Sequence, residues 1–255
     1  MLNALIVIYN KSCIESTTFK FISNYSKKIK IIIFDNSTID CGNKEYCEVN
    51  GISYYTMNQN IGLSRAYNFI LNKIKLDKSN YLLILDDDTT LNDEYIKDVL
   101  ESINQNAADV LLPLVWSKNE LISPSYLSFN CRVKKIKNLR VINKRKITAI
   151  NSGMVVRTDI YNDIKYNENL FLDYVDHDFI KRVRENNYKI KILNSSIYQA
   201  FSRNEKQSLS NVKIRFNIYK KDFKKYCINC NKKWFYYVNI LKLRIVYLLK
   251  YKKIF

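Results

Sequence analysis

The sequence predicts an α/β fold with a mixed, mainly parallel sheet flanked by helices. Three observations carry that expectation. Short apolar runs, ALIVIY at 4–9, KIIIF at 30–34 and YLLIL at 81–85, have the length and composition of strands buried on both faces. Stretches of helical periodicity fall between them. A polar cluster follows each run at once: Tyr9-Asn10, Asp35-Asn36 and Asp86-Asp87-Asp88. In open parallel sheets ligands collect beyond the carboxyl ends of the strands, so three such loops point to one site.

Taken in order, a helix is expected from about Cys13 to Tyr25, after the first strand. The second strand ends in the turn-like DNSTIDCGN, and GISYYTM at 51–57 reads as a third. In 60–74, Leu63, Ala66, Tyr67, Ile70, Leu71 and Ile74 recur at three and four, the spacing of one helix face. NDEYIKDVLESI at 92–103 opens with an asparagine cap and two acids, as helix starts do. Later, 147–161 reads as strand and turn leading into a helix, and 173–193 as helix then strand. Residues 211 to about 225 and 234–250 read as two terminal helices. The expected organisation is one α/β domain over 1–205 and a basic helical tail over 206–255.

The 255 residues carry a formal net charge of +18. From Asn211 to Phe255 there are 13 Lys and Arg against one acid, Asp222, while the other 210 residues hold 29 against 23. A basic tail suits anionic lipid or nucleic acid. No nucleic-acid motif is visible and the tail's aromatics sit among aliphatics, so no nucleic acid is expected as partner. The N-terminus lacks a secretory signal, and no run of 18 apolar residues predicts a transmembrane helix. Six cysteines then read as reduced cytosolic thiols; CINC at 227–230 has the spacing of half a zinc site, but the chain has a single histidine.

The acids carry the chemistry. In an extended chain Asp86 and Asp88 point to one side, and two carboxylates there suit a hard divalent ion, Mg²⁺ or Mn²⁺. The plainer reading is an acidic turn capping a helix. Asp173, Asp176 and Asp178 likewise read either as a solvated helix start or as a reactive cluster, with Asp178 and Arg182 four apart and able to pair.

The order of motifs resembles the inverting glycosyltransferases of the GT-A fold, of the family 2 type. IVIYN (6–10), IIIFDNST (31–38), NQNIGLSRAYNFIL (58–71), LLILDDDTTL (82–91), INSGMVVR (150–157) and NLFLDYVDHDFIKRVRENNYKIKIL (169–193) carry it across about residues 3–200. The form LFLDYVDHDF is most similar to the rhamnosyltransferase and galactofuranosyltransferase branch.

The resemblance implies a nucleoside-diphosphate sugar as donor, with Asp86 and Asp88 on a metal ion and Asp87 toward the nucleoside. It implies that Tyr9 and Asn10 flank the base and that Asp35 accepts from base or ribose. Asn60 and Gly62 would let backbone approach the donor; Asn36, Arg65, Ser152 and Gly153 complete the nucleotide-sugar set. Asp176 would be the base that deprotonates the acceptor hydroxyl. Relatives often place a histidine ligand about twenty residues later, where this chain has Gln199. His177 reads as exposed or near the acceptor, not as a ligand.

The implied acceptor is a saccharide, lipid-linked, in surface polysaccharide synthesis at the inner face of the plasma membrane. The alternative is a catalytically inactive, glycosyltransferase-like interaction module. In the last helix Asn239, Lys242, Lys250 and Lys253 fall on one side, with Arg244 away from them, among aromatic and aliphatic residues. That pattern suits a helix lying in an anionic membrane surface, or one packed on the domain with a basic outer face.

Overall fold

The computed structural model describes residues 1–129, 131–136, 138–139, 142, 146–199 and 208–252. The boundary expected near 205 and Lys253 lie outside the described residues.

The strands are β1 (Leu2–Ile8), β2 (Ile29–Asp35), β3 (Ser53–Thr56), β4 (Tyr81–Asp86), β5 (Thr89–Thr90), β6 (Val110–Ser117), β7 (Glu120–Ser123), β8 (Ser125–Leu127), β9 (Val133–Lys135), β10 (Ile147–Thr148), β11 (Met154–Arg157) and β12 (Ile190–Gln199). The helices are α1 (Thr17–Ile22), α2 (Asn43–Val49), α3 (Leu63–Leu71), α4 (Asp93–Asn104), α5 (Val175–Glu185), α6 (Leu209–Asn229) and α7 (Lys233–Tyr251).

The main sheet runs β3-β2-β1-β4-β11-β6-β12-β5, with β7 on β6. β1 pairs in parallel with β2 and β4, β2 with β3, and β12 with β6, whereas β11 is antiparallel to both its neighbours. A smaller sheet orders β10-β8-β9. The mixed, mostly parallel architecture is the one expected.

β1 is buried along its whole length, as a central parallel strand must be. Alternation divides its side chains: Leu5 and Val7 join one core, Ala4, Ile6 and Ile8 the other. β2 splits the same way, Ile32 and Phe34 against Ile31 and Ile33, and so does β4, Leu82 and Ile84 against Leu83 and Leu85. The first core is closed by α3, α5 and α6, the second by α1, α2 and α4. That parity decides where Asp35 and Asp86, at the ends of β2 and β4, point.

Two local expectations change, and for one stretch the sequence predicts no element. The helix from Cys13 to Tyr25 is broken: Ser16 caps α1 by accepting from the Phe19 N–H at 3.0 Å, and short 3₁₀ turns flank it. The segment after β11 is a 3₁₀ turn over Thr158–Asn162. Residues 110–135 hold four strands that no clean alternation announced; β6 even contains Pro113, which cannot donate to a ladder.

α6 is no detached tail. Phe216, Phe223, Tyr226 and Cys227 are buried in the first core. α7 lies on it through Tyr236, Ile240, Leu243 and Tyr247, a stripe at three and four. Asn239, grouped by spacing with Lys242, turns inward, is buried and accepts from the Arg132 guanidinium, while Lys242 is exposed. The outer face of α7 leaves Trp234 71%, Leu241 62% and Leu249 77% exposed. Among the described residues no helix is long and apolar enough to cross a membrane.

Candidate active site

Asp86 closes β4 with the parity of Leu82 and Ile84, so it faces α3 and α5. Asp88 follows after a tight turn whose backbone is held by α1: Thr18 Oγ1 donates to the Asp86 carbonyl and Ser16 Oγ to the Asp87 carbonyl, each at 2.6 Å. Gln199, the last residue of β12, donates through Nε2 to Asp86 Oδ2 at 2.8 Å and to Asp88 Oδ1 at 3.4 Å. Burial, reinforced by the Asp88 charge and opposed by the Gln199 hydrogen bond, pushes the Asp86 carboxyl up to about 7. Asp87 turns outward to Lys11, 3.6 Å away, and burial raises its pKa also.

Asp176 stands in the first turn of α5, on the same side of the sheet as Asp86. Its Oδ1 accepts the His177 backbone N–H at 2.7 Å. Burial raises its pKa, partly offset by His177. Its charge is felt at Asp86 and at the buried Tyr67 of α3, so the two sequence-predicted acids stand on one side of the sheet within electrostatic reach. His177 is partly buried, not exposed: its Nδ1 meets Thr148 Oγ1 at 2.8 Å. Asp178 and Arg182 pair as spacing predicted, at 2.9 Å. Asp173 does not share the helix face of Asp176. It precedes α5, and Arg215 of α6 grips its carboxylate through both guanidinium nitrogens.

At the other loops, Asn36 has the parity of Phe34 and faces α3, where its Nδ2 donates to Asn60 Oδ1 at 2.9 Å and its Oδ1 accepts the Ile61 N–H at 2.9 Å. Asp35 has the opposite parity. It is buried toward α2, and its carboxylate accepts from Ser37 N–H, Asn43 Nδ2 and the Tyr54 hydroxyl. Its bonds organise the loop itself. Asn10, at positive φ, accepts from the Thr38 N–H at 2.8 Å and leaves Tyr9 half exposed. Arg65 is exposed on α3.

Gly62, expected to let backbone near the donor, makes its close approach to Phe171: a Cβ there would lie 2.6 Å from the ring and 2.7 Å from the carbonyl oxygen. Ser152 and Gly153 are buried at the β4–β11 crossing, Ser152 against Thr89 and Gly153 against Ile197 and Pro113.

The family model for glycosyl transferase family 2 matches residues 4–165. The chain belongs to glycosyl transferase family 2. Among curated proteins it is similar to the glycosyltransferase GlyA of Streptococcus pneumoniae serotype 4 (strain ATCC BAA-334 / TIGR4), 27% identical over 115 residues, which is 44% of this chain and 16% of GlyA. Among solved structures it resembles S. aureus TarS 1-349 in complex with UDP, at TM-score 0.57 and 19% identity over 79% of this chain and 61% of that one. It also resembles GalNAc-T7 with UDP, GalNAc and Mn²⁺, at TM-score 0.56 and 11% identity over 79% and 44%. The chain thus spans less than two thirds of these relatives, and the structural likeness establishes the GT-A type of fold.

Within that family the Asp86–Asp88–Gln199 cluster is the candidate metal centre. The Gln199 Oε1 is buried without a hydrogen-bond partner among the described residues. Turning that amide by half a rotation presents an oxygen beside two carboxylate oxygens, a donor set that suits a hard cation. Among the described residues there is no cluster of three His, Cys, Asp or Glu. The candidate set is two acids and an amide.

Reading the sequence missed Lys11, Asn43, Tyr54 and Asp222. Lys11 stood directly after the first loop, a legible signal. The others act through tertiary contacts that no local pattern marks.

Proposed function

We propose that the chain transfers a hexose, rhamnose among the candidates, from a nucleoside-diphosphate donor to a saccharide acceptor with inversion, in surface polysaccharide synthesis. The observation that carries this reading is that Asp86, at the end of β4, and Asp176, in the first turn of α5, lie on one side of the sheet although 90 residues apart in the chain. Bound UDP and UDP-GlcNAc in the TarS structures and Mn²⁺ in GalNAc-T7 support a nucleotide donor and a divalent ion.

Asp86, Asp88 and the Gln199 amide oxygen would hold Mg²⁺ or Mn²⁺, which when bound supplies positive charge to the departing diphosphate. Asn36 fixes Asn60 and the start of α3 beside the nucleotide. Asp176 accepts the proton of the acceptor hydroxyl as that oxygen bonds to the anomeric carbon; the carbon–diphosphate bond breaks on the opposite face and its electron pair leaves with the nucleotide. A raised pKa makes the Asp176 carboxylate a stronger base than an exposed aspartate.

The acceptor is lipid-linked in this reading, because α7 offers an apolar outer face with basic residues and no acid, suited to an anionic membrane at the inner face of the plasma membrane. A panel of nucleotide sugars, scored for metal-dependent hydrolysis and for the anomeric configuration of product, tests the reading. Retention of configuration would sink the role given to Asp176. The second reading, an inactive interaction module, is favoured by Gln199 already donating to both carboxylates; it predicts UDP binding that no divalent ion improves.

A further inference from the structure

A second basic segment lies outside the tail. Residues 132–146, RVKKIKNLRVINKRK, hold eight Lys and Arg and no acid. With this segment and the tail set aside, the remaining chain carries 21 Lys and Arg against 23 acids. The positive charge is therefore concentrated in these two segments, and both contribute to one cavity. That cavity has a volume of about 810 Å³. Lys134 and Lys146 come to it from the basic segment, Lys181 and Arg184 from α5, and Lys232 from the α6–α7 turn, against one acid, Glu185. Glu185 pairs with Lys181 at 2.8 Å, and the lining as a whole keeps a strong positive balance. Tyr126, Phe129 and Tyr226 supply aromatic wall, and Lys232 Nζ lies 4.3 Å from the Phe129 ring centre.

The cavity shares no residue with the donor loops. It adjoins the acceptor base along α5. His177, Lys181 and Arg184 share one helix face, and at 1.5 Å of rise per residue Lys181 and Arg184 lie about 8 and 12 Å beyond Asp176. A group seated there would be one or two sugar units from the attacking hydroxyl.

We infer that this cavity binds a phosphate carried by the acceptor, a diphosphate or phosphodiester attached to its saccharide. The inference rests on the glycosyltransferase reading and adds the acceptor's chemical class. Lys134, Lys146 and Lys232 stand there beyond the Lys181–Glu185 pair, and a multiply charged phosphate matches them. The volume is too large for a bare anion and of the size that takes an organic body, which the aromatic wall would cover.

The test uses the full chain with UDP at saturation, so that the donor site is filled, and titrates inorganic diphosphate by calorimetry. Lys134→Glu with Lys146→Glu reverses two exposed charges and leaves the core untouched. Diphosphate affinity should fall by about tenfold or more, with UDP affinity unchanged. Farnesyl diphosphate and glycerol 3-phosphate then distinguish a lipid diphosphate from a phosphate-bearing glycan; tighter binding of either supports the site and names its source. An equal loss from Lys213→Glu with Lys224→Glu, two exposed positions on α6, would reduce the effect to net charge and overturn the inference. So would unchanged diphosphate affinity in the first variant, or preferred binding of a short RNA lost on the same reversal. If UDP fails to bind the unmodified chain while diphosphate binding still responds to the first reversal, the donor reading fails and the anion site stands.

Discussion

The backbone N–H of Asp173 donates to the Asp222 carboxylate at 2.9 Å. The same carboxylate, 1% exposed, accepts from Leu172 N–H at 2.8 Å and Phe171 N–H at 3.0 Å. The Phe171 carbonyl in turn accepts from Leu63 N–H at 2.7 Å, at the start of α3. The loop that delivers Asp176 is thus slung between the donor-side helix and the first terminal helix. Tyr174, at φ 64°, makes the turn into α5.

Asp222→Ala leaves three loop N–H groups without their acceptor. Each buried unsatisfied donor costs about 1–3 kcal/mol, so a loss of about 3 kcal/mol or more is expected in thermal or urea unfolding. Asp222→Asn keeps the shape and part of the bonding and should cost less. In the folded fraction kcat should fall while UDP affinity holds, because the donor-side contact between Asn36 and Asn60 does not involve Asp222.

Asp176→Asn should lower transfer by about a hundredfold to ten-thousandfold, the usual contribution of a general base, with nucleotide affinity nearly unchanged. The pH profile provides a separate readout. The base acts when ionised and its pKa is raised, so kcat should fall with acid at a pH above the ordinary carboxylate value of 3.8. That limb should vanish in the variant. If Asp178→Asn is dead and Asp176→Asn is within a few-fold of the unmodified chain, the base has been assigned to the wrong acid.

Asp88→Ala should abolish transfer and the metal dependence of nucleotide binding, since Asp88 and Gln199 flank Asp86 at the place proposed for the leaving diphosphate. Gln199→Ala should weaken metal affinity without removing it, because two carboxylates remain. Titration of Mn²⁺ against UDP binding measures both; full metal dependence in the Asp88 variant would contradict the assignment.

On α7, Leu241→Glu with Leu249→Glu should release the chain from anionic vesicles at moderate salt while leaving its unfolding midpoint in place, since both residues point outward. Deleting the helix is a poorer test, because Tyr236, Ile240, Leu243 and Tyr247 cover the first core. Co-sedimentation with phosphatidylglycerol vesicles is the measurement, and undiminished pelleting of the double variant would count against membrane docking.

Gly62→Ala should destabilise the domain. The backbone there is at φ 82°, and the added carbon would meet both ring and carbonyl of Phe171, so neither rotation nor a small shift relieves it. Calorimetric unfolding should show a loss of about 1–3 kcal/mol.

The strands and the acids at their ends were legible in the sequence because burial on both faces writes an unbroken apolar run, and its end is abrupt. ALIVIY and YLLIL therefore located β1 and β4, and the DDD that follows located the cluster at Asp86 and Asp88. The helix start at Asn92 was equally plain, and its side chain accepts the Tyr95 N–H at 2.8 Å. Residues 110–135 were not legible, since a strand interrupted by a proline and three strands of three or four residues lack a clean period. Nor was the inward turn of Asn239, which answers to Arg132 more than a hundred residues away.

By itself the sequence determined the buried parallel strands of the first half, that their carboxyl ends carry the polar groups, and the order of motifs that marks the family. These follow from local periodicity and composition. Only the tertiary structure decided which groups meet. Asp35 and Asn36 are adjacent in the chain, yet strand parity sends one to α2 and the other to α3. Asp173 and Asp176 look alike in the sequence, yet Arg215 takes the first and leaves the second on the side of the sheet where Asp86 stands. Such choices depend on which helix covers which face of the sheet, and that is fixed by packing between residues far apart in the chain.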